Sequence, residues 1–186
     1  EAEGGIKKLL PQLLPDSAYS KVIDKIQSEK GASFYPGSPY IARAILAKSQ
    51  LHLCELHPQE FAALSENIKG VNLHNKNGYE VALKLSPPRE RRGLVLIDPS
   101  YEIKTEYNDV IKFVRALGVK WPQAVVLLWY PILEAGLYKQ LTAELKGWQH
   151  EIMFANPTRM LGSGLLALNL RAETVKELEK SLTAIQ

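Results

Sequence analysis

Short apolar runs alternate with amphipathic stretches along most of the chain, and this alternation restricts the possible folds more than any other feature. The apolar runs are Leu51–Leu56, Val71–Leu73, Gly93–Ile97, Ala124–Trp129, Gln149–Phe154 and Leu165–Leu170. A strand followed by a helix and another strand is typical of βαβ units, which build a mostly parallel sheet with helices on both faces. We therefore expect an α/β fold, in which Gly93–Ile97, apolar without alternation, is the most buried strand.

Helical spacing of apolar residues and typical end signals predict the helices between these strands. They are Ser17–Lys30, Ser38 to about Lys48, His57–Gly70, Tyr79–Leu85, Tyr107–Gly118, Pro131–Lys146 and a last helix from Glu173. In the second of these, Ser38 is expected to cap the helix, with Pro39 in its first position.

The length of 186 residues, with 46% hydrophobic and 23% charged residues, predicts a single domain with a sizeable core. We place a helical N-terminal segment at residues 1–34 and the main domain at 35–186. A single cysteine, Cys54, cannot form an internal disulfide, and it excludes zinc sites built from several cysteines. No apolar run approaches the roughly 18 residues that span a bilayer, so a soluble, cytoplasmic protein is expected. The net charge of +3 permits a phosphate-bearing partner without requiring one.

Polar residues lie near the end of, or after, three of the predicted strands, at the carboxyl ends where doubly wound sheets bind ligands. They are Glu55, the pair Asn77-Gly78, and the tetrapeptide that begins at Asp98. An acid in the position of Glu55 is typical of one that holds the hydroxyls of a nucleotide ribose. The simpler interpretation is that Glu55 caps the helix that follows.

The tetrapeptide Asp98-Pro99-Ser100-Tyr101 combines an acceptor, a rigid turn and an aromatic ring. The exocyclic amine of a base is a weak nucleophile, because its lone pair is delocalised into the ring. If Asp98 and the Pro99 carbonyl each accept one N–H, that lone pair turns towards a methyl donor, while Tyr101 can stack on the base. The simpler interpretation is an ordinary turn at a strand end, with Tyr101 packed at the start of a helix.

Further polar clusters are explained without a ligand. His52, Cys54 and His57 are close in sequence, but no further ligand is in view, so a packed strand with a structural Cys54 is favoured over a metal site. A basic run, Lys84, Arg89, Arg91 and Arg92, precedes the predicted central strand and is interpreted as a solvated surface. Arg159, in a loop after a late strand, is the better candidate for contact with RNA.

Four motifs occur in one order and at characteristic intervals: Tyr35-Pro36-Gly37-Ser38-Pro39, Glu55-Leu56-His57-Pro58, Arg91 to Pro99 (RRGLVLIDP) and Leu128-Trp129-Tyr130-Pro131. From Tyr35 to Leu170 the chain resembles the bacterial large-subunit ribosomal RNA adenine-N6 methyltransferases. Members of that family have also been described as proteins for the use of external DNA as a nutrient.

The resemblance implies a Rossmann-like class I methyltransferase, with an antiparallel C-terminal strand, that uses S-adenosylmethionine to methylate the N6 amine of an adenine in RNA. It assigns cofactor contacts to Ser38, Glu55, Asn77, Gly78 and Asp98. The catalytic residues are expected to be Asp98, Pro99 and Tyr101, and Tyr101 and Arg159 are expected to contact RNA. The partner is expected to be ribosomal RNA, with DNA possible. A monomer is expected, with neither a metal nor a membrane. The competing function is a non-catalytic nucleic-acid-binding or DNA-utilisation protein that keeps this fold.

Three departures separate the chain from the family pattern. Ser100 replaces a proline, and Asn77 replaces an aspartate whose acceptor role an amide oxygen can still fill. The family's first strand and glycine-rich turn have no counterpart before Ser38, because Gly4-Gly5 follows no strand. The start at Glu1 rather than methionine favours missing N-terminal sequence over a degenerate member of the family.

Overall fold

The computed structural model of the chain describes residues 17–46 and 50–183. Within those residues the elements are α1 (Ala18–Lys30), α2 (Ser38–Ile45), β1 (His52–Cys54), α3 (Pro58–Asn67), β2 (Asn72–His74), α4 (Gly78–Leu85), β3 (Leu94–Ile97), α5 (Glu106–Lys120), β4 (Val125–Ile132), α6 (Tyr138–Glu144), β5 (Trp148–Met153), β6 (Gly162–Leu168) and α7 (Ala172–Thr183). The chain divides into two compact units. Of the described residues, the first unit contains those up to Gly78 together with Leu182 and Thr183, and the second is Tyr79–Ser181. The boundary near residue 34 stays a prediction.

In the first unit, local signals fix the two ends of α1. The Ser17 hydroxyl accepts a hydrogen bond from the Ser20 N–H at 3.0 Å, which caps the helix, and Gly31 ends it with a φ of +107°. The face between these ends buries Val22, Ile23 and Ile26. The helix predicted at Ser17–Lys30 is therefore confirmed.

The start of α2 differs from its prediction. The capping residue is Gly37, with no side-chain cap, so Ser38 is the first helical residue and the prediction of a Ser38 cap is wrong. Pro39 lies in the first turn, as expected, where a missing N–H costs no hydrogen bond. The helix ends at Ile45, and its predicted end at Lys48 lies outside the described residues.

Strands β1 and β2 form a two-stranded parallel sheet, with His52 opposite Asn72 and Cys54 opposite His74. Leu53 is half-buried on one face of this sheet, while His52 and Cys54 are exposed on the other. The prediction that Cys54 belongs to a buried strand is therefore wrong. Among the described residues, the alternation in β1 shows that its leucine face is more covered than the face of His52 and Cys54.

The second unit contains a four-stranded sheet in the order β3-β4-β6-β5. Strands β3 and β4 are parallel, whereas β6 is antiparallel to both of its neighbours, so the sheet is mixed. Helix α5 packs six buried residues against one face of this sheet: Tyr107, Val110, Ile111, Phe113, Val114 and Leu117. Leu128, Tyr130 and Leu166, all fully buried, complete the core from the sheet side.

Strand β3 is less buried than predicted. Among the described strands it lies at the edge of its sheet, and although Ile97 is buried, Leu94 and Leu96 are 51% and 44% exposed. The interpretation of Gly93–Ile97 as the most buried strand is therefore wrong. The continuous apolar sequence of this strand would allow burial on both of its faces. In the structure, the face towards α5 is the one that is covered.

Two breaker residues lie inside elements that they were expected to end or begin. Helix α5 continues through Gly118 to Lys120 and ends before Pro122, which disfavours helical backbone in the residue preceding it. Pro131, predicted to start a helix, lies in β4 opposite Ser163. The Ile132 carbonyl accepts from Leu161 on the β6 side, so Pro131 turns its backbone to the side where pairing with β3 has already stopped at Leu128. No ladder bond is lost there.

Candidate active site

In the first unit, hydrogen bonds join the turn that carries Glu55 to the turn that follows β2. The register of β1 and β2 places their carboxyl ends at one edge, and the Glu55 N–H donates to the His74 carbonyl at 3.1 Å. The Asn75 side-chain amide donates to the carbonyls of Glu55 and Leu56, at 2.8 and 3.1 Å. This bridge joins the turn that carries Glu55 to the turn that leads to Asn77 and Gly78.

The Glu55 carboxylate has a local role as well. Its Oε1 accepts from the His57 backbone N–H at 2.8 Å, and His57 is the N-cap residue of α3. This bond orders the turn before α3, but α3 itself has no side-chain cap, so the helix-capping role that the sequence allowed for Glu55 is not present. A carboxylate offers about four acceptor positions, so this bond leaves capacity for the hydroxyls of a ribose.

Gly78 is the first residue of α4, and it approaches β1 closely. A Cβ placed on it would lie 3.3 Å from the Cβ of Cys54, which is tight contact. Partial desolvation raises the pKa of the Cys54 thiol, so the thiol stays protonated to higher pH than usual. Ser38 lies elsewhere in this unit, exposed at the start of α2.

In the second unit, Asp98 follows β3 at the level where Trp129 continues β4, since Ile97 and Leu128 form the last pair between these strands. Asp98 and Ser100 are exposed, and Pro99 between them is half-buried. Desolvation by neighbouring atoms raises the pKa of Asp98. The site thus presents a carboxylate at the carboxyl edge of a parallel strand pair.

Tyr101 lies under this turn and not on its surface. Its side chain is 6% exposed, its φ is +54°, and its hydroxyl donates to the Trp129 carbonyl at 3.0 Å. Its ring centroid is 4.5 Å from that of Tyr107. This arrangement differs from the expectation of a ring face open to a base, because the ring fills the space beneath the turn. Its stacking on a base stays a prediction.

Three residues around this turn were not predicted from the sequence. Glu106 accepts a hydrogen bond from the Ser100 hydroxyl at 3.4 Å, which links the turn to α5. The Trp129 carbonyl accepts from Tyr101, and the half-buried Trp129 has its ring centroid 6.3 Å from that of Tyr101. Tyr107 is buried, and its hydroxyl has no hydrogen-bond partner among the described residues. The motif Leu-Trp-Tyr-Pro was the available signal for Trp129, whereas Glu106 and Tyr107 carried none.

Arg159 is exposed in the loop that joins β5 to β6. Because β6 is antiparallel to β4, this loop lies at the same edge of the sheet as Asp98. The basic run before β3 is exposed at the opposite edge, as predicted, with the Arg91 carbonyl accepting from the Trp121 indole at 2.9 Å.

His52 and His74 lie side by side on the exposed face of the two-stranded sheet, with their ring nitrogens hydrogen-bonded at 3.0 Å. Residues 17–46 and 50–183 nevertheless contain no group of three or more histidine, cysteine or acidic side chains that could hold a metal ion. No helix in the same part of the chain is long and apolar enough to cross a membrane.

The chain is thus a mixed α/β protein with acids and amides at the carboxyl ends of parallel strands, where such folds bind nucleotides. A family model described as "Ribosomal RNA large subunit methyltransferase D, RlmJ" matches residues 1–182. The chain therefore belongs to the RlmJ family, which confirms the resemblance.

Individual relatives agree with this assignment. Ribosomal RNA large subunit methyltransferase J of Haemophilus influenzae is 36% identical over 141 residues, which is 72% of this chain and 50% of the relative. Its namesake in Escherichia coli is 32% identical over 133 residues, 69% of this chain and 48% of the relative. The chain thus spans about half the length of these curated relatives. The crystal structure of protein LPL1258 from Legionella pneumophila matches this chain with a TM-score of 0.83 and 30% sequence identity. The match covers 97% of this chain and 74% of the LPL1258 chain.

Proposed function

We propose that this chain belongs to an S-adenosylmethionine-dependent methyltransferase that acts in the cytoplasm on the N6 amine of an adenine in large-subunit ribosomal RNA. Family membership supports the reaction class. The observation that carries the proposal is the exposed Asp98 carboxylate, which lies on a turn that Tyr101 holds from below. A Rossmann-like methyltransferase sheet is part of the same proposal, supported by the parallel pairs β1–β2 and β3–β4.

The residues of the first unit suit the cofactor. Glu55 would accept from the ribose hydroxyls, and the Asn77 amide oxygen would accept from the adenine amine of the cofactor. Gly78 brings the start of α4 close to β1, so that backbone instead of a side chain lines this edge. Ser38, exposed at the first position of α2, would contribute a hydroxyl. When bound, S-adenosylmethionine supplies a methyl group on a positively charged sulfur, which keeps the electron pair of the broken C–S bond.

Asp98 and Pro99 would prepare the target amine. The Asp98 carboxylate and the Pro99 carbonyl each accept one N–H of N6, which directs the nitrogen lone pair away from the ring. As the new N–C bond forms, positive charge develops on N6, and the hydrogen bond to ionised Asp98 strengthens. The nitrogen then releases one proton to water.

The turn must be rigid for this geometry to hold. Tyr101 donates to the Trp129 carbonyl, and burial raises its pKa far above the usual range, so the hydroxyl remains a donor. Ser100 lacks the ring of the family's proline but donates to Glu106. An adenine must leave its stack to reach this turn, so we expect a flipped or single-stranded base. Arg159 would contact the phosphate backbone of the RNA strand that carries this base.

The test measures tritium transfer from labelled S-adenosylmethionine to ribosomal RNA by the protein expressed from its complete gene. The proposal predicts transfer to adenine N6, and Asp98→Ala should lower single-turnover rates by about 10²–10³ with RNA affinity nearly unchanged. Glu102→Ala, an exposed acid four positions later, is the matched control and should leave the rate unchanged. RNA binding without transfer by the wild type would favour a non-catalytic nucleic-acid-binding protein.

A second variant tests the departure at Ser100. Ser100→Pro restores the family residue at the cost of one 3.4 Å hydrogen bond, so we expect an equal or higher rate. An inactive Ser100→Pro protein would show that this turn depends on Glu106.

A further inference from the structure

The end of the β5–β6 hairpin extends beyond the level of Asp98. The pairing of β3 with β4 stops at Ile97 and Leu128, whereas Ile132, Gly162 and Met153 are still paired across β4, β6 and β5. Four further residues of β4 correspond to about 13 Å at 3.3 Å per residue. We define the hairpin tip as Ile152–Leu161. Along the strand direction, the hairpin tip therefore extends further than Asp98, the proposed site of methyl transfer.

The hairpin tip exposes apolar side chains at the end of β5 and at the first residue of the loop. Ile152, Met153 and Phe154 are 54%, 61% and 39% exposed in consecutive positions. Backbone pairing holds Phe154 in place, since its N–H donates to the Leu161 carbonyl at 2.9 Å. A partly exposed aromatic ring on a backbone that is already paired offers a stacking surface at reduced cost in conformational entropy.

The positive charge of the hairpin favours a partner that carries negative charge. Between Glu151 and Glu173 the only charged residues are Arg159 and Arg171, and Arg159 is exposed in the tip itself. The acid that precedes the tip, Glu151, accepts from the buried Tyr130 hydroxyl at 2.9 Å. An apolar, aromatic and basic surface without acids suits bases and phosphates better than it suits a protein patch of average composition.

We infer that the hairpin tip binds the single-stranded RNA next to the target adenine, with a neighbouring base stacked on Phe154 and a phosphate held by Arg159. This inference rests on the proposed function, because it takes RNA as the substrate. It assigns to Phe154, Met153 and Ile152 a role in substrate positioning outside the catalytic turn. The contact is tolerant of sequence, since every base has an aromatic face.

The test measures binding of a fluorescein-labelled 12-nucleotide oligoadenylate to the protein from its complete gene, by anisotropy over a range of salt concentrations. Phe154→Ala should weaken binding by about 5- to 150-fold, which is the effect of losing one base–aromatic stack, and Phe154→Tyr should restore it. Arg159→Gln should reduce the slope of log affinity against log salt by about 0.7. Val119→Ala and Arg92→Gln, exposed at the opposite edge of the sheet, are matched controls that should change neither quantity.

The outcomes separate this inference from the proposed function. A wild type that transfers methyl groups, together with Phe154→Ala and Arg159→Gln proteins that bind RNA normally, would overturn the inference alone. If Phe154→Ala instead lowers the melting temperature by several degrees and leaves RNA affinity unchanged, the tip packs against protein and the inference is also wrong. A wild type that binds RNA through the tip but transfers no methyl group would support the inference and contradict the proposed function.

Discussion

The Asp98 carboxylate is exposed, but neighbouring atoms remove part of the water around it. Desolvation raises its pKa above the ordinary value of 3.8. A group whose pKa is raised on folding favours the folded state most when it is protonated, and that contribution is lost as the pH rises through the folded pKa. Ionised Asp98 therefore costs stability at neutral pH.

Asp98→Asn removes this charge with little change of shape, so we expect a higher melting temperature at pH 7. The gain should disappear below about pH 3.8, where the wild-type carboxyl is also protonated. In the wild type, methyl transfer should fall as the pH is lowered through the raised pKa, because a protonated carboxyl accepts the amine N–H poorly. Thermal melts at several pH values and single-turnover rates measure these two effects. An unchanged melting temperature at pH 7 would show that solvent reaches the carboxylate freely.

Two buried tyrosines provide a matched pair for the energetics of hydroxyl burial. The Tyr130 hydroxyl donates to Glu151 at 2.9 Å, while the Tyr107 hydroxyl is buried with no partner among the described residues. Tyr130→Phe should destabilise the protein by about 1.5–3 kcal/mol, because it removes a hydrogen bond to a charged group. Tyr107→Phe should be neutral or stabilising, because it removes an unsatisfied polar group. Urea denaturation of both variants decides the matter, and equal losses would show that Tyr107 has a partner in solution.

Among the secondary-structure elements, two glycines allow the same substitution with opposite results. A Cβ on Gly164, in β6, would overlap the ring of Tyr130, whereas a Cβ on Gly118, in α5, would meet no atom within 4 Å. Gly164→Ala should therefore cost about 1–3 kcal/mol through overpacking. Gly118→Ala should stabilise the protein by about 0.5–1 kcal/mol through a better helix propensity. Denaturation midpoints measure both effects, and a harmless Gly164→Ala would mean that the ring moves aside.

Sequence periodicity was sufficient to find most helices and strands of this chain, because each amphipathic face is a local property. It failed where tertiary pairing decides. Pro131 is tolerated in β4 because β3 has already ended beside it, and β3 is half-exposed because one of its faces is left without a cover in the described chain. Neither fact is local to the residues concerned.

The carboxyl-end rule placed Glu55, Asn77 and Asp98 correctly at strand ends. It could not place the Tyr101 ring, because the direction of that side chain depends on a positive φ and on an acceptor that lies 28 residues later, at Trp129. Glu106 escaped prediction for a similar reason. Its role depends on the turn that precedes α5 and on no pattern within the helix.

At the scale of the whole molecule, the outer edge of β3 is the feature that most affects how the chain associates in solution. Within the described chain β3 pairs with β4 on one side only, and Leu94 and Leu96 leave their apolar side chains half in solvent. Arg91 and Arg92 just before the strand are charges of the kind that protect such edges.

This edge has a practical consequence for the chain in solution. In the part of the chain that the structure describes, β3 is a short, uncharged strand with one unpaired edge, and such an edge is a template for another strand, including one from a second copy. The sequence predicts a monomer, but we expect the isolated 186-residue chain to associate as its concentration rises. Leu96→Lys should suppress this association in light scattering, while Val119→Lys, on an exposed helical surface, should not. Equal scattering by the wild type and the two variants would mean that the edge is protected. The expected result would make the solubility of the chain a direct measure of whether the outer edge of β3 is paired with another strand.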